Sequence, residues 1–168
     1  MTDDLILDID TSGIPQMIAE MEGFPLQLGR EMTVAMRSAL QFLEGQVASR
    51  TPVNTGQLRA SITHEIINPW PNLIGQVGSP KEYAIVMEFG RRPGARMPPV
   101  DAIQYWVVRK LGIPTEEAES VAWAIAKHIA RHGIEGHYMF KEGLEFSEPY
   151  INQLFNSAMN RAVQRFNQ

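Results

Sequence analysis

The sequence predicts a single domain that mixes amphipathic helices with a few short strands, and three observations carry that expectation. Met32, Met36, Ala39, Leu40, Leu43 and Val47 recur at spacings of three and four, which places them on one face of a long helix. Ser61 to Ile67 and Asn72 to Val77 are short, rich in β-formers and closed by Gly, Pro and Ser, so they read as an antiparallel pair of strands. A chain of 168 residues, 44% hydrophobic and 20% charged, is long enough to bury one core and too short for two ordinary ones.

Each element follows from its own residues. Leu5, Leu7 and Ile9 alternate with Ile6, Asp8 and Asp10, the pattern of a short half-buried strand. A helical turn or two is expected from Pro15 to Glu22, punctuated by Gly23 and Pro25. The long helix starts at Pro25, a favoured first-turn residue, and runs to about Ser49. It ends at Thr51-Pro52, because the ring of Pro52 disfavours helical geometry at the residue before it. Its methionines read as flexible core filler.

Tyr83 to Phe89 is too apolar for a surface loop, and its period leaves a third strand and a short buried helix both open. Ile103, Trp106, Val107 and Leu111 then mark a helix from Pro99 that Gly112 stops. In the helix after it, Thr115 is expected as N-cap, Glu116 and Glu117 suit the positive end, and Lys127 and Arg131 sit near the negative end before Gly133. These two helices form a hairpin, an insertion of about residues 97–134 in a domain spanning 1–168. Ile151, Leu154, Phe155, Ala158, Met159 and Val163 place a final amphipathic helix from Glu148 to Phe166.

Charge and cysteine usage narrow the function classes. The net charge of −4 argues against a protein built mainly to wrap nucleic acid. Residues 1–23 hold Asp3, Asp4, Asp8, Asp10, Glu20 and Glu22 with no Lys or Arg, a local charge of −6. Residues 91–110 hold Arg91, Arg92, Arg96, Arg109 and Lys110 against Asp101 alone, a local charge of +4. Two such segments are either solvated faces or surfaces that attract each other between subunits. The absence of cysteine excludes disulfides, thiolate catalysis and Cys-type zinc sites. No apolar run reaches the ~20 residues of a spanning helix, and the acidic start is not a signal peptide, so assembly in a cytoplasm without membrane contact is expected.

The segment Thr51-Pro52-Val53-Asn54-Thr55-Gly56-Gln57-Leu58-Arg59-Ala60-Ser61-Ile62 follows the long helix, and Tyr83-Ala84-Ile85-Val86-Met87-Glu88-Phe89-Gly90 follows it about 25 residues later. The pair resembles a phage family of tail-completion or minor tail proteins, which place Thr-Pro-Val-Asp-Thr-Gly-x-Leu-Arg-x-Ser-Ile and then Tyr-Ala-x-x-x-Glu-Phe-Gly in the same order. The likeness covers about residues 28–90, with a weaker echo at Tyr138 to Phe146. Arg91 stands where Gly-Thr more often continues, and no Arg-Pro-Ala follows Phe140.

The resemblance implies an α+β subunit: a long N-terminal helix packed on a small antiparallel sheet, with an inserted helical hairpin and a C-terminal helix. It further implies a virion structural protein, made in the host cytoplasm, whose copies form a hexameric neck ring joining tail to head beside other neck and tail proteins. The ring would stand close to the DNA in the channel and need no cofactor. Within the motifs, Asn54 and Thr55 can cap a turn, Gly56 can adopt a left-handed angle, and Leu58 and Ile62 can pin the turn to the core. Arg59 either pairs with Glu88, whose carboxylate suits a guanidinium, or stays solvated. The remaining motif residues, Pro52, Tyr83, Ala84, Phe89 and Gly90, read as packing and turn positions. Asp3, Asp4, Asp8, Asp10, Arg91, Arg92 and Arg96 are the candidate interface.

Enzyme-like features are few. His128 and His132 share one helical face, as zinc ligands can, and His137 follows. The metalloprotease pattern needs glutamate directly after the first histidine, and that position is Ile129. Catalysis is therefore not expected, and the three histidines remain a weak metal candidate. Gly90-Arg91-Arg92-Pro93-Gly94 lacks the Lys-Ser/Thr ending of a nucleotide loop. A DNA-binding helical module is the alternative function: Arg91, Arg92 and Arg96 could touch phosphates, although Glu116, Glu117 and Glu119 would repel them from the second hairpin helix.

Overall fold

The computed structural model describes residues 5–10 and 25–166, with the side chains of 26–165. Strand β1 (Leu5–Asp10) is followed by the long helix α1 (Pro25–Arg50), a single turn α2 (Gln57–Ala60), and strands β2 (Thr63–Asn68) and β3 (Ile74–Ser79). Helix α3 (Tyr83–Phe89) leads to α4 (Val100–Trp106), which widens into a π-helical turn over Val107–Leu111. Helices α5 (Thr115–His132) and α6 (Met139–Phe166) complete the chain. The fold is α+β.

The three strands form one antiparallel sheet in the order β1-β3-β2. Leu5 stands opposite Ser79 and Asp10 opposite Ile74, while Thr63 stands opposite Gly78 on the other side of β3. The β2–β3 register slips between Ile66 and Asn68, leaving Ile67 as the extra residue. Helix α1 crosses this sheet at Gly75, where a Cβ would stand 2.6 Å from Met36 Sδ and 2.8 Å from Leu40 Cδ1. A Cβ there would displace the ends of both side chains, so glycine suits the close approach of the apolar stripe of α1 to the central strand.

The other side of α1 is covered by α6, which runs antiparallel to it. Gly143 near the start of α6 faces Val47 near the end of α1, and a Cβ there would lie 2.8 Å from Val47 Cγ2. At the opposite end the buried Glu31 of α1 receives Arg161 Nε at 2.8 Å and Arg165 Nη1 at 2.5 Å from α6. Leu28, Met32, Met36, Leu40, Leu43 and Val47 are thereby enclosed with Leu73, Val77, Phe140 and Ala158.

Four expectations are corrected or resolved. Tyr83–Phe89 is a helix, and its burial of Ala84 and Glu88, four residues apart, gives it a helical rather than an alternating face. The final helix begins at Met139, nine residues before Glu148. Gly143 and Pro149 are poor helix formers, but Gly143 allows the close approach to α1, and Pro149 is exposed and loses only one backbone donor. Thr115 is not the cap of α5: Pro114 occupies that position, its carbonyl accepting from the N–H groups of Glu117 and Ala118, both at 3.0 Å. The helix expected to run regularly to Leu111 departs into the π turn after Trp106. The turn expected at Pro15 to Glu22 lies outside the described residues.

Candidate functional site

The first motif builds a compact turn on the end of α1. Gly56 adopts φ +81°, a left-handed angle that costs other L residues about 1–2 kcal/mol. Thr55 Oγ1 accepts from Gln57 N at 3.3 Å, the turn-capping role its side chain suggested. Asn54 does not cap: its Oδ1 is buried and has no hydrogen-bond partner. Leu58 and Ile62 are both buried in the main core, so the turn is anchored at two points. Pro52 is half-buried beside them.

Arg59 and Glu88 do not pair. The Arg59 guanidinium donates to the Thr51 carbonyl at 3.0 Å and closes the turn back onto the end of α1. Glu88 faces the other way and is 2% exposed. Its carboxylate accepts from the N–H groups of Phe140 at 2.8 Å and Lys141 at 3.0 Å, the first turn of α6. A carboxylate at a helix N-terminus meets unpaired donors and the positive end of the dipole at once. The invitation to α6 is therefore issued from α3, 52 residues earlier. Nothing local to Glu88 announced it, since its partners are backbone groups.

Around Glu88 the chain makes a narrow neck. His137 N donates to the Met87 carbonyl at 2.7 Å and Tyr138 N to the Glu88 carbonyl at 3.1 Å, while Arg91 and Ile134 exchange bonds of 2.8 and 3.0 Å. Three glycines allow these backbones to touch. A Cβ on Gly90 (φ +75°) would fall 2.1 Å from the Ile134 carbonyl oxygen, one on Gly133 (φ +78°) 2.2 Å from that of Arg91, and one on Gly136 2.2 Å from that of Glu88. Tyr138 holds φ +48° immediately before α6, a left-handed conformation uncommon for a residue with a side chain. Phe89 of the second motif is largely exposed, Tyr83 is partly covered, and Ala84 is buried. The partial burial of Tyr83 pushes its phenol above the ordinary pKa.

Beyond the neck, α4, the π turn and α5 form an arm with its own small core. Val107, Ala118, Ala122 and Ala126 are fully buried yet separate from the main cluster. Spacing of four along α5 puts the three alanines on one line, so the two arm helices can approach closely. Outward from Val107, every residue from Val108 to Gly112 is exposed.

The candidate interface cations lie at the base of this arm. Gly94 N donates to the Ala130 carbonyl at 2.8 Å, holding the 91–96 loop along the last turns of α5. Arg92 and Arg96 are exposed, and the half-buried Arg91 donates to the Arg96 carbonyl. The candidate carboxylates Asp8 and Asp10 belong to β1, an edge strand; Asp3 and Asp4 lie outside the described residues.

His128 and His132 stack with ring centroids 4.1 Å apart, and His132 Nδ1 lies 3.1 Å from the His128 carbonyl oxygen. Among the described residues no group of three His, Asp or Glu side chains is placed to hold a metal ion. A recess of about 490 Å³ beside α1 is lined by the mostly apolar set Leu26, Gly29, Arg30, Thr33, Val34, Pro69 and Trp70.

Comparison with known families bears on the segment that carries both motifs. Residues 16–90 match the model of the HK97-gp10-like family, described as "Bacteriophage HK97-gp10, putative tail-component". Over this segment the chain resembles a phage tail family. The match takes in α1, the motif turn, β2, β3 and α3, and it stops at Gly90, where the neck begins. The arm and α6 lie beyond the segment shared with the tail-component family. No curated protein and no solved structure matches the chain. No helix among the described residues is long and apolar enough to cross a membrane.

Proposed function

We propose that this chain is a non-enzymatic virion protein, a tail-completion or neck subunit whose copies close into a ring joining tail to head. The observation that carries the reading is the joint placement of the two motifs. One locks the end of α1, and the other supplies Glu88 to seat α6, so the residues resembling the tail-component family build the body of the subunit. The chain is one domain over 1–168, and the arm of about 97–134 is inserted into it at the glycine neck. Host cytoplasm is where the subunit is made, and the virion neck is where it resides.

Ring closure requires two different surfaces on each copy, one docking onto the other with a rotation that returns to the start. The acidic residues Asp3, Asp4, Asp8 and Asp10 and the basic residues Arg91, Arg92 and Arg96 are the pair of faces we assign to this contact, and six copies the number. Other neck and tail proteins are its neighbours above and below. Electron microscopy and light scattering of the purified protein, alone and with neck partners, test the reading. Closed rings are expected. Phage lacking the polypeptide that still join heads to tails would refute it.

A further inference from the structure

The cations of the 91–96 loop are not alone at the base of the arm. The bond from Gly94 to Ala130 and the Arg91–Ile134 bridge lay this loop along α5 where Lys127 and Arg131 project. Both are exposed, and i, i+4 spacing puts them on one side of the helix with Trp123 one turn earlier. The Lys127 ammonium lies 5.9 Å from the centroid of the Trp123 ring, which is 41% exposed. Over residues 91–96 and 123–135 five cations stand against the single carboxylate of Glu135. Among the described residues, Arg92, Arg96, Lys127 and Arg131 form no ion pair.

A helix C-terminus favours basic residues in any case, which accounts for Arg131 in isolation. It does not account for a second, unpaired basic segment being fastened beside it. Glu88, four residues before Arg92, is taken up by the start of α6, and Asp101 and Glu135 are the other acids close to this face in sequence; on α5, Glu119 stands one turn before Trp123 and about 12 Å before Lys127, and Glu116 about 16 Å before Lys127, at 1.5 Å per residue.

We infer that the arm is the docking element of the ring: Arg92, Arg96, Lys127 and Arg131, with Trp123 as their apolar floor, form one face that takes the acidic N-terminal segment of a second copy. The inference rests on the ring reading and adds α5 to the interface, whose basic side the sequence placed within residues 91–110. The occupant follows from charge. Residues 1–23 carry six carboxylates and no Lys or Arg, every copy brings one such segment, and a −6 segment opposite this face is complementary without any other partner. A contact of this kind steers association and weakens as salt screens it over about 8–10 Å.

The test uses full-length protein and reversed charges. Lys127→Glu/Arg131→Glu and, separately, Asp3→Lys/Asp4→Lys are each expected to weaken self-association about thirtyfold in sedimentation velocity at low salt. Combining all four substitutions in one chain is expected to restore most of it, because both faces have changed sign. An independent measurement uses the absence of cysteine: Thr2→Cys and His128→Cys, mixed as two single variants, are expected to join as a heterodimer under mild oxidation.

Rings that form equally well in Lys127→Glu/Arg131→Glu, or a quadruple variant that stays dissociated while its helical circular dichroism is normal, overturn this inference and leave the ring reading standing. Loss of duplex-DNA binding in that double variant, with self-association unchanged, assigns the face to nucleic acid and also overturns it. A wild-type chain that remains a monomer at every concentration, together with Thr2→Cys and His128→Cys variants that yield no heterodimer, removes both readings.

Discussion

Replacing Glu88 with alanine tests the central feature of the body, because it removes the acceptor at which α6 begins. Two N–H groups lose their partner. That of Phe140 is buried, and orphaning a donor in such a place costs about 1–3 kcal/mol. Lys141 N is only part-buried, so water recovers most of its bond at 3.0 Å. Loss of a negative group at the helix start adds about 0.5–2 kcal/mol. Relief of the desolvation cost of a buried carboxylate offsets part of this, leaving a net loss of about 2–4 kcal/mol. At about 2–4 °C per kcal/mol for a domain of this size, the melting temperature should fall by about 4–16 °C.

Glu88→Gln keeps the shape and one acceptor but turns an amide NH₂ toward one of the donors, so a smaller loss of about 1–2 kcal/mol is expected. Urea titration followed by circular dichroism measures both variants, and amide exchange at Phe140 reports the local effect. If Glu88→Ala shifts stability by less than about 0.5 kcal/mol, the range of an ordinary surface substitution, the capping account of α6 is wrong.

The glycines provide a graded series. Gly90→Ala combines φ +75° with a Cβ 2.1 Å from a carbonyl oxygen, so it should cost about 3 kcal/mol or more and raise amide exchange at Arg91 and Ile134. Gly143→Ala pushes α6 from Val47 and should cost about 1–3 kcal/mol in urea titration. Gly45→Ala, in the exposed middle of α1 with no atom near its Cβ position, should instead stabilise by about 0.5–1 kcal/mol. Glu31→Ala removes the partner of both Arg161 and Arg165 and should loosen the end of α6, read as faster amide exchange over its last turns. Phenol absorbance against pH should show a component titrating above the usual tyrosine range that Tyr83→Phe abolishes. Since the folded state holds that phenol protonated, stability falls as pH rises from the ordinary tyrosine pKa through the higher folded one.

What the residues determined by themselves was local. The three-and-four spacing from Met32 to Val47 marked α1 because a helix buries one stripe whatever covers it. Gly56 announced a left-handed turn because only backbone freedom was needed there, and the two motifs announced a resemblance to a phage tail family because they are contiguous strings. Tertiary structure decided whatever depended on groups distant in sequence. Glu88 looks from the sequence like a mate for Arg59, yet its partners are backbone N–H groups that every residue carries, so no side chain could signal them. The start of α6 was hidden for the same reason: Gly143 and Pro149 weaken the local propensity, while the packing of Gly143 on Val47 and the cap from Glu88 come from residues 96 and about 50 positions away. The basic face divides in the same way. Arg92 and Arg96 were legible as a charged loop, but Lys127 and Arg131 join them only because Gly94 and Ala130 share a hydrogen bond that folding creates.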